Sequence, residues 1–225
     1  MRIGLIALLV FLLAPYVLVL LYRVVDPPVS ALMVRRALGG TYIHYRWRDL
    51  DEIAPSLPRT VVISEDAALC RHWGVDWDAV GEAMDNAEEG ETPRGASTIP
   101  MQVAKNLFLW PDQSYLRKAL EIPLAYFINL TWPKRRIVEV YVNIAEWGPG
   151  IFGAEAAARH HFRKSAADLT ESESALLAAS LPNPFVRHAG RPGPRVRNLA
   201  EHVAGRAERE SSAADCVMGS HARAK

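Results

Sequence analysis

Two short runs hold the residue types that could do chemistry. The first, Glu65-Asp66-Ala-Ala-Leu-Cys70-Arg-His72-Trp-Gly74, sets adjacent carboxylates after the apolar Val61-Val62-Ile63. On a helix Glu65 and His72 would share a face about two turns apart. Such a pair suits proton transfer, and equally suits a solvated helix start whose acids answer the N-terminal dipole. The second run, Gly95-Ala-Ser97-Thr98-Ile-Pro-Met-Gln102-Val-Ala-Lys105-Asn106, is rich in small hydroxylated residues and closes on a Lys-Asn pair. That pattern fits a loop that hydrogen-bonds a polar ligand and then enters a helix over 99–109; it also fits a plain Ser/Thr-capped helix start. Further on, Arg117-Lys118-Ala-Leu-Glu121 adds two cations and another carboxylate.

The elements that must position these runs read as helices. Residues 3–22 are free of charge and dominated by Leu, Ile, Val and Ala, long enough for one transmembrane helix, which Pro15 would kink. A cleavable signal peptide competes, but the apolar run is long for one and no small-residue cleavage site follows. Asp26-Pro27-Pro28 ends that segment, and a short helix is expected over 30–38 before Gly39-Gly40. Helices follow over 75–86, 116–130 (with Pro123 near a first turn or at a kink), 134–145, 154–162 and 172–181. Thr170 or Ser172 caps the last, and Pro182-Asn-Pro184 stops it. Residues 88–95 read as a mobile polar loop and 146–153 as a turn-rich break; few segments alternate as strands do. A surface helix over 199–210 precedes residues 211–225, which are expected to be disordered.

At 225 residues the chain can bury one substantial core, and a net charge of +1 offers no field for nucleic acid. Basic residues cluster at Arg117-Lys118, at Lys134-Arg135-Arg136 and between Arg187 and Arg197, where each cluster also reads as a solvated face. Two cysteines are too few for a disulfide framework, and Cys70 reads as a small buried residue. His160-His161 cannot easily share a metal ion, because adjacent helical positions point about 100° apart.

Taken together, Glu65-Asp66 with His72 and Gly74, the run from Gly95 to Asn106, Arg117-Lys118 with Glu121, and Lys134-Arg-Arg-Ile-x-Glu139-x-Tyr141-x-Asn143 resemble, in order and spacing, the monofunctional biosynthetic peptidoglycan transglycosylases. The resemblance runs from about Trp47 to Pro184. It implies a mainly α protein: a lysozyme-like α-helical lobe with a smaller membrane-proximal part, preceded by one transmembrane helix. The division expected is an anchor at 1–23, a connecting segment at 24–50, the glycosyltransferase domain at 51–186 and a basic, partly disordered tail at 187–225. The implied reaction polymerises lipid II into glycan strands with release of polyprenyl diphosphate, on the periplasmic side of the inner membrane.

The resemblance makes Glu65 the general base and Glu121 the second essential glutamate, organising the diphosphate through a divalent cation, Mg or Mn, or through basic neighbours. Lys105, Arg117 and Lys118 are expected to meet the phosphates. Ser97, Thr98 and Gln102 are expected to hydrogen-bond sugar or phosphate oxygens. Asp66 tunes Glu65 or orients its loop, Asn106 holds the loop backbone or touches ligand, and His72 is structural. Expected partners are lipid II, the growing strand, the membrane, and transpeptidases with other wall-synthesis proteins. The chain departs from the family pattern at Leu69, where Phe is common, at Met101, where a glutamine is common, and at Gln113, near a usual Arg; the last should weaken phosphate affinity. Two other readings remain: a lytic enzyme cleaving the same polymer, and an inactive membrane scaffold for wall synthesis.

Overall fold

The computed structural model describes residues 2–88, 95–112 and 114–219, with side chains along the first helix given from residue 12. Most of the polar loop at 88–95, Gln113 and the last six residues lie outside the described residues. Helix α1 spans Arg2–Tyr22. Among the described residues no helix is long and apolar enough to cross a membrane. The C-terminal part of α1 is packed on the rest of the protein: Val19 is wholly buried, Tyr16 meets Phe127 edge-on, and the Trp132 indole donates to the Val19 carbonyl at 2.7 Å.

α2 (Ala31–Leu38) starts where Ser30 accepts from the Met33 amide. Then come α3 (Ser56–Glu65), α4 (Trp77–Glu88), α5 (Ile99–Phe108) and α6 (Tyr115–Thr131), which carries Pro123 well inside it rather than in its first turn. α7 (Lys134–Ile144) is the central helix: from Ile137 to Ile144 every side chain except Glu139 is buried, as a helix apolar nearly all round requires. α8 (Ala154–Phe162) and α9 (Glu171–Ser180) follow, the second opened by a capping box in which Thr170 and Glu173 satisfy each other's amides. α10 (Pro194–Arg209) packs along α9 and α3.

The turn-rich break contains a small sheet that alternation did not announce. β1 (His44–Tyr45) pairs in parallel with β3 (Ile151–Phe152), and β2 (Glu146–Gly148) pairs antiparallel with β3 across an irregular register. Strands of two or three residues are too short to show a period.

Two expectations for the cysteines and the C-terminus are corrected. Cys70 is not a free thiol: it forms a disulfide with Cys216, 146 residues away, with a Cα–Cα distance of 5.7 Å. Residues 211–219 are folded, as a 3-10 turn (Ser211–Ala214) and a short helix α11 (Asp215–Met218) that buries Ala214 and Val217 against α3 and α7. Apolar burial supplies what the polar composition hid, and the crosslink fastens this segment to the turn that follows Glu65.

Candidate active site

Glu65 is the last residue of α3, so its side chain leaves the helix as the backbone turns away. Its Oε2 accepts from Gln102 Nε2 at 3.0 Å, and Gln102 Oε1 in turn accepts from the Tyr141 hydroxyl at 2.9 Å. Burial raises the Glu65 carboxyl above its ordinary value. The Gln102 bond opposes this, as do Lys105 and Arg187, while Asp66 adds to it.

Asp66, next in the chain, faces elsewhere. Its carboxylate is bonded to His72 Nε2 at 2.8 and 3.0 Å and accepts the Ile99 amide at 2.8 Å. It thereby ties the first motif to the N-terminus of α5, where a negative charge is favoured. His72 Nδ1 accepts from the Gly74 amide at 3.1 Å, so both ring nitrogens are occupied within the fold. Gly74 sits at φ +112°, and a Cβ there would come within 2.7 Å of the Ala125 carbonyl, which explains the glycine that closes this run. Thr98 caps α5 and donates to the Gly74 carbonyl at 2.6 Å; its hydroxyl is buried and committed to the backbone. Met101 is buried against Val75 and Ala125, and Leu69 lies in the main core, so both departures are matters of packing.

The second glutamate lies at 1 % exposure on α6. Lys118 Nζ donates to its Oε1 at 2.9 Å, and Arg117 pairs with its Oε2. Arg117 is itself buried, with Nε donating to the Asp112 carbonyl at 2.8 Å. Lys118 keeps a partly exposed ammonium and also reaches Ser97 Oγ at 3.1 Å, joining α6 to the loop before α5. Lys105 lies on α5, half-buried. Burial lowers its ammonium below the ordinary value, Arg117 adds to this, and Glu65 opposes it. The same forces, burial first and then Arg117 and Lys105, bring Lys118 down to about 8. Asn106 is buried on α5.

Glu65 and Gln102 thus form one bonded group, and Ser97, Lys118, Arg117 and Glu121 another. Both oxygens of Glu121 are already engaged by cations. Among the described residues no three His, Cys, Asp or Glu side chains are gathered as a metal would require.

The last motif staples the buried α7 to its neighbours. Lys134 Nζ donates to the His72 carbonyl at 2.9 Å, Glu139 accepts the Leu50 amide at 2.9 Å, and Asn143 bonds both backbone groups of Arg48. Arg136 donates to the carbonyls of Tyr22 and Val25, where α1 ends. Tyr141 was not singled out as a site residue. Its partner Gln102 lies 39 positions away, and only the docking of α7 on α5 brings them together.

In this helical lobe one glutamate is bonded to a glutamine at the end of a helix and a second is clasped by two cations. Residues 34–208 match the family model described as Transglycosylase. The chain is 55% identical over 208 residues to the biosynthetic peptidoglycan transglycosylase of Rhodopseudomonas palustris strain HaA2, covering 92% of this chain and 91% of the relative. It is 57% identical over 190 residues to that of Nitrobacter winogradskyi, 84% of each, and 48% identical over 211 residues to that of Brucella suis biovar 1, covering 93% and 94%. The chain belongs to the transglycosylase family.

Proposed function

We propose that this protein is a peptidoglycan glycosyltransferase that polymerises lipid II into glycan strands and releases polyprenyl diphosphate. The observation that carries the reading is the Lys118–Ser97 bond at 3.1 Å, which joins the cations around Glu121 to the run that carries Gln102, the partner of Glu65. Base and cations are therefore linked through the packing of α5 on α6. Glu65 takes the proton of the acceptor 4-hydroxyl as its oxygen attacks the anomeric carbon of the donor, and the bond to the diphosphate oxygen breaks from the opposite face. Lys105 and Lys118 meet the charge that develops on the diphosphate. Glu121 holds Arg117 and Lys118 in place, and Ser97 sits where Lys118 would bring a phosphate or sugar oxygen. A divalent cation belongs to this proposal as a companion of the substrate diphosphate, and no step is assigned to it.

We place the protein in the inner membrane, single-pass, with the catalytic lobe on the periplasmic side. The uncharged run at 3–22 supports the anchor. The disulfide supports an oxidising compartment. The exposed residues of α6, Tyr115, Leu116, Ala119, Pro123, Tyr126 and Leu130, form a wholly apolar stripe that supports contact with lipid. Transpeptidases and other wall-synthesis proteins are the partners such a product requires.

The test is purified full-length protein in detergent, given labelled lipid II with magnesium, with products resolved by length beside Glu65→Gln. Long strands that fall by about a hundredfold or more in the variant are expected, the lower end of what a positioned acid–base group contributes. Shortening of preformed glycan instead would establish the lytic reading, and neither activity would leave the scaffold.

A further inference from the structure

The phenol of Tyr141 is buried on α7, behind the base. Its oxygen stands 2.9 Å from Gln102 Oε1, and the other end of the same carboxamide stands 3.0 Å from Glu65 Oε2. A carboxamide accepts at one end and donates at the other, so what meets one end decides what the other presents. We propose that Tyr141 is a positioning residue for the base: its hydroxyl proton is committed to Gln102 Oε1, which turns the Gln102 amino group toward Glu65 and favours the ionised carboxylate.

The reverse chain also closes. A protonated Glu65 donates to Gln102 Oε1, and the amino group donates to the phenol oxygen. That is the state in which Glu65 holds the proton taken from the acceptor hydroxyl, so the relay has one orientation before proton transfer and another after it. The first is favoured because in the second the phenol proton loses its acceptor in a buried site, where an unmade hydrogen bond is costly. The phenol keeps its proton throughout, since burial and the nearby Glu65 and Asp66 carboxylates hold its ionisation well above the ordinary value.

The other charges that face Glu65 are Asp66 beside it, with His72 behind that carboxylate, Lys105 from α5, and Arg187 from the segment before α10. Tyr141→Phe leaves all of them in place and preserves the ring packing, so a change in the titration of Glu65 reports the lost hydroxyl alone.

This inference rests on the reading of Glu65 as the base and deepens it. The experiment compares the full-length protein with Tyr141→Phe in detergent by two readouts. One is the pH dependence of lipid II polymerisation at subsaturating substrate. The other is direct NMR titration of the Glu65 carboxyl carbon in glutamate-labelled protein, with Glu65→Gln assigning the signal. The acid limb of the rate profile and the carboxyl titration should move up together by about half a unit to one unit, with the plateau rate above the limb kept within about twofold. In a Gln102→Leu background, Tyr141→Phe should add no further shift. An unmoved carboxyl titration in Tyr141→Phe, with or without a uniform loss of rate, would overturn the proposal, as would an additive shift in the Gln102→Leu background. If neither protein polymerises lipid II, the reading of function fails by itself, and the carboxyl titration still decides the relay.

Discussion

The environments of Glu65 and Lys118 set the pH range in which this site can work. A general base acts in its ionised form, and burial raises the Glu65 carboxyl, so activity on falling pH should be lost above the ordinary carboxylate range rather than within it. Lys118 acts in its protonated form and sits at about 8, so activity on rising pH should be lost near that value as the ammonium facing Glu121 and the diphosphate is neutralised. The expected profile of kcat/KM is therefore a bell. Lys134 also lies near 8, held down by burial, but it serves the His72 carbonyl on the far side of the motif. Lys118→Arg separates the two: the basic limb should move up by about a unit or more, because a guanidinium stays charged throughout the working range. A basic limb that stays near 8 in Lys118→Arg would assign it to another group.

Between residue and fold stand the elements, and here the C-terminal segment bears on stability. The bond from Cys70 to Cys216 fastens α11 to the turn between α3 and α4, the turn that also carries His72 and Gly74. Closing a loop of this length restricts the unfolded chain. Cys216→Ser should therefore lower unfolding stability by about 2–4 kcal/mol, and dithiothreitol should lower the stability of the unmodified protein by a similar amount while leaving the variant unmoved. Equal midpoints for oxidised and reduced protein would show that α11 is held by packing alone. Local signals made much at this scale legible. The ends of α8 and α9 follow from Gly153, the Thr170–Glu173 box and the prolines at 182 and 184, all of which act within a turn of the residue they govern. The pairs that were not legible are long-range ones: Cys70 with Cys216, Gln102 with Tyr141, Asn143 with Arg48. Nothing near either partner announces the other, and only the docking of helices creates the contact. For the same reason residue type and resemblance could nominate Glu65, Asp66, Thr98, Lys105 and Glu121, but not the bonds that Asp66 and Thr98 make to the Ile99 amide and the Gly74 carbonyl.

For the whole molecule, the distribution of exposed apolar surface bears on the proposed contact with lipid. Along α6 the exposed positions 116, 119, 123, 126 and 130 recur at helical spacing and are all apolar. Next to them runs α1, with Leu13, Val17, Leu20 and Leu21 turned outward. At one end of the stripe the Trp77 indole donates to the Tyr126 hydroxyl at 2.7 Å, and both rings line a cavity of about 700 Å³ with Trp73 and Arg71. Rings with one apolar face and one polar tip concentrate where hydrocarbon meets headgroups. On the proposed contact with lipid, seating this stripe in the interface would turn the Lys118 end of α6 toward the headgroups. A double variant, Leu116→Glu with Leu130→Glu, changes exposed positions and should leave the fold and its unfolding midpoint intact. Turnover of lipid II embedded in vesicles should drop roughly tenfold, the factor that about 1.4 kcal/mol supplies, while turnover of a short-chain, water-soluble analogue in the same protein stays unchanged. Equal losses on both substrates would mean that α6 had been disturbed internally, and no loss on either would mean that the α6 stripe does not meet lipid.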